Sequence, residues 1–164
     1  MKSRRLSFGF TIVEMLLYMG ILSGFLLVVS QIFLSALDVQ RESEATTSVE
    51  EDGRYILSRF QYDITRAQKV TVPTTLGSQS NTLQLTIGNG SSIYAVNGTN
   101  LTLTDAIGTS TLNSYGSSVS AFGVQRLGNI GGKESVKLGF TLTSSTQRPA
   151  GPEVRTFQTT VGIR

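Results

Sequence analysis

One carboxylate stands inside an apolar run. In RRLSFGFTIVEMLLYMGILSGFLLVV the apolar residues begin at Phe10, and Glu14 sits among them. No basic side chain is close to it in sequence, because Arg4 and Arg5 lie on the far side of Gly9. A lone carboxylate is costly in hydrocarbon, so its chemistry there is either to accept a cation or to reach the interface. The other groups able to do chemistry are few. The chain has neither Cys nor His, which removes thiol nucleophiles, zinc ribbons, disulfides and the commonest general base. Beyond residue 68 the carboxylates are Asp105, Glu134 and Glu153, too scattered in sequence to read as an acid–base pair or a calcium loop.

The segment GNIGGKES (128–135) is only superficially a phosphate loop. The pattern needs Gly where Leu127 stands and Ser or Thr where Glu134 stands. It also leads toward a strand rather than a helix N-terminus. Asn89, Asn97 and Asn100 begin N-x-S/T triplets, which Asn-, Gly-, Ser- and Thr-rich turns produce readily. These residues point to a chain that is not an enzyme, with no cofactor and no metal.

The formal charge of +3 does not indicate nucleic acid. Lys2, Arg4 and Arg5 precede the apolar run with no acid among residues 1–9, and the remaining basic and acidic side chains balance. The basic excess is therefore a targeting feature, which places the N-terminus in the cytoplasm and the C-terminus outside.

Three zones must position these residues. From Phe10 to Leu37 the chain is apolar apart from Glu14, a few Ser and Gln31, and exceeds the roughly 20 residues that span a bilayer as helix. Residues 38–67 are charged yet still helix-compatible, with no proline before Pro73. Val49, Gly53, Ile56, Phe60, Ile64 and Ala67 recur at three- and four-residue spacing, which predicts one apolar stripe. Glu50 with Arg54 and Arg59 with Asp63 read as i,i+4 pairs on the opposite, solvated face, and Glu42, Glu44, Glu51 and Asp52 add acidity above them. Gly53 lies on the stripe, where a glycine permits close approach of another element.

From residue 68 to 164 the pattern is short strands between turns. NTLQLTIGNG alternates Leu83, Leu85 and Ile87. SSIYAVNGTNLTLTD reads as a hairpin with Asn97-Gly98 as its turn pair. SSVSAFGVQRLG, ESVKLGFTLTSS and EVRTFQTTVGIR supply three more strands. The expected fold class is α+β: a long N-terminal helix, half membrane-embedded and half amphipathic, packed on an antiparallel sheet.

GFTIVEMLLYMGIL resembles the type IV prepilin signature, in which a short basic leader and a Gly precede Phe-Thr-aliphatic-aliphatic-Glu and an apolar helix. Gly9, Phe10, Thr11 and Glu14 carry the match. The resemblance implies that 1–9 is a leader removed by a prepilin peptidase between Gly9 and Phe10, and that the new Phe10 amino group is N-methylated. It further implies that Glu14 pairs with the ammonium of a neighbouring subunit. GRYILSRFQYDITRAQKV is similar to the end of the long helix in minor pilins and J-type pseudopilins. The implied partners are the peptidase, other pilins or pseudopilins through the N-terminal helix, and inner-membrane lipid. The implied place is the bacterial inner membrane, then an extracytoplasmic type IV pilus, competence pilus or type II secretion pseudopilus. The rival reading is a signal-anchored extracytoplasmic binding or adhesin domain that never polymerises.

Overall fold

The computed structural model describes residues 11–129 and 131–163, so the Gly9–Phe10 junction lies outside the described residues. The chain divides into two compact units at Gln40 and Arg41. Helix α1 (Ile12–Arg66) contributes to both. It is long and apolar enough near its start to cross a membrane.

The second unit joins the later part of α1 to nine strands: β1 (Lys69–Val72), β2 (Gln79–Ser80), β3 (Thr82–Ile87), β4 (Gly90–Asn97), β5 (Asn100–Thr104), β6 (Thr109–Thr111), β7 (Ser117–Leu127), β8 (Ser135–Ser144) and β9 (Val154–Gly162). The result is the α+β arrangement expected of a pilin-like chain, with one correction. The strands form two antiparallel sheets, in the orders β1-β3-β4-β5-β6 and β2-β7-β8-β9, where the sequence suggested one. The chain crosses to the second sheet for β2, returns for β3, and crosses finally through the segment after β6, which the amide of Asn113 holds. Its Oδ1 accepts from Leu101 N at 2.9 Å, and its Nδ2 donates to Ser117 O at 2.8 Å. That buried amide supplies the backbone partners that a ladder would otherwise supply.

The hairpin turns also differ from expectation. Asn97 pairs with Asn100, so Gly98 and Thr99 form the turn rather than Asn97-Gly98. Gly98, at the first turn position, has φ +63°. That is the geometry of a II′ turn, where glycine belongs at the first central position. In β7, the pairing slips between Ser120 and Gly123, and Ala121 takes φ +50°. This extra residue resets the alternation, so Val119 before it and Phe122 and Val124 after it all face the core.

The α1 stripe is buried as its spacing predicts: Val49, Ile56, Phe60 and Ile64 are fully covered, and Ala67 nearly so. The Phe60 ring lies 4.5 Å from that of Tyr94 on β4. Gly53 faces β9. A Cβ placed there would come within 2.3 Å of Cζ of Phe157, and Phe157 is stacked at 5.4 Å on Phe140. Gly53→Ala should therefore lower stability by about 1–3 kcal/mol through overpacking, although alanine is the better helix former by ~1 kcal/mol. Urea unfolding decides between these opposing terms, and a gain in stability would show that Phe157 swings aside freely.

Asp63 corrects the solvated-face reading. It is 3% exposed, accepts from Arg59 Nε at 3.1 Å, and accepts a hydrogen bond from the Tyr94 hydroxyl. Residue 63 follows Phe60 by three and Ile56 by seven, so helical geometry places it on the buried stripe. Burial first, and then the bond to Asp63, raises the Tyr94 phenol above its ordinary value. The unfolded chain therefore ionises Tyr94 before the folded one. Stability from this source is complete below pH ~10 and is lost as pH rises beyond it. Unfolding at pH 9 and at pH 11 should show a fall in wild type that is smaller in Tyr94→Phe. At neutral pH the same variant should be less stable by roughly 1–3 kcal/mol, because Asp63 loses a buried donor.

The acidic stretch above the stripe is likewise engaged rather than simply solvated. Asp52 Oδ2 accepts from Ser114 N (2.9 Å), Ser114 Oγ (2.8 Å) and Ser117 Oγ (2.5 Å). Glu42 pairs with Arg148 and Glu50 with Arg155, and both arginines also pair with Glu153, at 2.9 and 3.0 Å. Glu50 with Arg54, at 3.4 Å, stays on the solvent side as expected.

Candidate functional site

Helix α1 begins at Ile12, and Thr11 caps it. Thr11 Oγ1 accepts from the Glu14 backbone N–H at 3.2 Å, and Thr11 O accepts from Met15 N at 3.1 Å. Glu14 is thus the third helical residue, and Thr11-x-x-Glu14 has the sequence of a capping box. A carboxylate in the first turn also faces the positive end of the helix dipole. The Thr that the sequence offered only as part of a signature therefore has a physical task, which is to start the helix so that Glu14 falls in its first turn.

Glu14 is partly buried, and the Tyr18 hydroxyl donates to its Oε1 at 3.1 Å. Tyr18 was missed in the sequence, although its i+4 spacing from Glu14 is the available signal. A carboxylate has about four acceptor sites, and one neutral phenol neither saturates it nor cancels its charge. The group remains able to take a cation.

Around this carboxylate the helix presents apolar side chains on every side, from Ile12 (81% exposed) through Leu22 and Phe25 to Leu34 (60%). Each large apolar side chain gains roughly 1.5–3 kcal/mol on leaving water. A surface of this extent, on a helix this long, is compatible with crossing a membrane.

The remaining candidate groups are occupied in local structure. Asp105 Oδ1 accepts from Ile107 N and Gly108 N, closing the β5–β6 turn. Glu134 forms a two-pronged pair with Arg126, which also donates to Pro73 O and Thr74 O. Glu153 is held by Arg148 and Arg155. Among the described residues no group of three potential metal ligands converges. Gly132 N donates to Asn129 O at 2.9 Å, and residues 131–134 lead into β8, which opens at Ser135. Asn89 lies in the β3–β4 turn, and Asn97 and Asn100 flank the β4–β5 turn. No family model, curated protein or solved structure matches the chain.

Proposed function

We propose that the chain is a minor pilin or pseudopilin: a non-enzymatic subunit held in the inner membrane by α1 and drawn from there into an extracytoplasmic filament. The observation that carries the reading is the capped start of α1. There a single carboxylate stands in the first turn of a helix whose apolar surface is uncovered all round. A plain membrane anchor has no use for that group, since any intramembrane carboxylate disfavours insertion. A subunit that must associate with others does, because a cation supplied by the next helix relieves the cost only on association.

In this reading residues 1–9 are the leader, a prepilin peptidase cuts between Gly9 and Phe10, and the new Phe10 ammonium, methylated, is the cation offered to Glu14 of a neighbour. The basic residues at 2, 4 and 5 keep the leader cytoplasmic and the β-sheet domain outside. Intact-mass measurement on membrane-extracted protein tests the processing step. The expected mature chain starts at a methylated Phe10, and replacing Gly9 by a large residue leaves the leader attached. A mature N-terminus beyond Leu27 would mean an ordinary signal peptide and end the proposal.

A further inference from the structure

The solvent face of the later part of α1 is divided by charge. Among the acids of 41–53, Glu42, Glu50 and Asp52 are turned to the β domain, and Glu44 and Glu51 are exposed; residues 54–66 carry three arginines and one acid, the buried Asp63. On the 3.6-residue period, exposed Glu44 and Glu51 share one line along the helix. Arg59 and Arg66 share another, about 60° further round. Both pairs are seven residues apart, two turns of helix.

Between the two lines lie Tyr55 and Tyr62, 53% and 51% exposed. Asp63 and Tyr62 hold the basic line in place: Arg59 donates its Nε to Asp63 at 3.1 Å and keeps its remaining guanidinium nitrogens outward of that bond. The Arg59 and Arg66 guanidinium carbons lie 5.9 and 4.8 Å from the Tyr62 ring centre, and Arg66 also donates to the Tyr62 hydroxyl. Ordering these side chains in advance reduces the entropy that a partner must remove.

We infer that this face is a contact between copies of the chain, in which Glu44 and Glu51 of one copy meet Arg59 and Arg66 of the next. The inference builds on the filament reading and names one of the surfaces that would join its subunits. The two lines match when parallel helices are offset from 51 to 66, fifteen residues, or roughly 22 Å along the axis. At that offset 44 also falls opposite 59, so both pairs form together. The contact is heterologous, using different flanks of the same face. It therefore leaves an unused acidic line at one end and an unused basic line at the other, and propagates instead of closing. The exposed tyrosines fit the middle of such a contact, as amphipathic rings that bury well and keep a polar tip.

The absence of cysteine makes the test clean. Two differently tagged full-length copies are co-expressed, one bearing Glu51→Cys and the other Arg66→Cys, and their membranes are oxidised. The mixed disulfide should exceed the 51–51 and 66–66 products by about tenfold. In cysteine-free copies, Glu51→Arg or Arg66→Glu alone should lower co-recovery of the two tags about tenfold, since like charges are then opposed. Combining both reversals in one chain should restore it to within about twofold.

Equal yields of all three disulfides, or no rescue by the double reversal, would overturn the inference. So would a rise in co-recovery for Glu51→Arg beside a fall for Arg66→Glu, the pattern of a basic face gathering on a polyanion such as nucleic acid. The N-terminus of the same membrane protein separates the two readings. Crosslinked but uncleaved chains leave this contact standing without the filament, and cleaved chains without the 51–66 crosslink remove the contact alone.

Discussion

Phe60→Ala should cost the folded domain, residues 41–164, about 3–5 kcal/mol in denaturant unfolding, the range for truncating a fully buried Phe. Phe60 has no exposed surface, lies at the centre of the α1 stripe, and contacts the ring of Tyr94. Truncation would empty the place where α1 meets β4, and the neighbours are poorly placed to collapse into it. Tyr94 is tied by its hydroxyl to Asp63, and Ile56 and Ile64 are fixed one turn away on the same rigid helix. A loss below 1 kcal/mol would mean that the stripe contributes little to holding α1 on the sheets.

Glu14→Gln should leave cleavage and membrane insertion intact and remove the chain from the filament fraction. The substitution isolates charge from helix geometry. Glutamine serves in a capping box as glutamate does, so the Thr11-capped start of α1 should persist, and removing a carboxylate from the apolar segment favours insertion. In the proposed filament, what disappears is the counter-charge for the neighbouring Phe10 ammonium. Leaving one partner of a buried ion pair unmatched costs roughly 3–5 kcal/mol, or more than about a hundredfold in the occupancy of that contact. The measurement compares sheared filaments with membranes for wild type and variant, with the mature mass checked in both. Normal incorporation of Glu14→Gln would reduce the residue to a first-turn carboxylate serving its own helix.

The helix was legible in the sequence because two independent periodicities agreed. An uninterrupted apolar run was followed, without proline, by a stripe at Val49, Gly53, Ile56, Phe60 and Ile64, and that stripe is the one buried. Gly53 was legible for the same reason, as a helix-breaking residue on an inward line. Asp63 was misread because an i,i+4 Arg–Asp pair has the same sequence whether its carboxylate points to water or to a core tyrosine. Only the angular position beside Phe60 and Ile64 distinguishes the two. The division into two sheets was not legible. It depends on a three-residue β6, a two-residue β2 and the side-chain bonds of Asn113, none of which leaves a hydrophobic pattern. At the candidate site, Glu14 announced itself as a charge in the wrong solvent, while the roles of Thr11 and Tyr18 depended on where the helix begins.

The ion pairs that fasten α1 to the end of the domain also set an order of events. Glu50 meets Arg155 and Glu42 meets Arg148 across sequence separations of 105 and 106 residues, whereas Asp63 meets Tyr94 across only 31. Synthesis delivers α1 first, so its lower end can dock on β4 while β8 and β9 are still to come. Closing the longer loops costs more chain entropy, and such contacts form late. During that interval Gly53 and the side chains above it have no Phe157 to cover them, and the apolar stripe lies open. The window of greatest risk for misassembly is therefore the time needed to release the last fifteen or so residues, at about 5–20 residues per second on the order of a second. Slowing synthesis of β9 should therefore favour aggregation of this chain more than slowing any earlier strand.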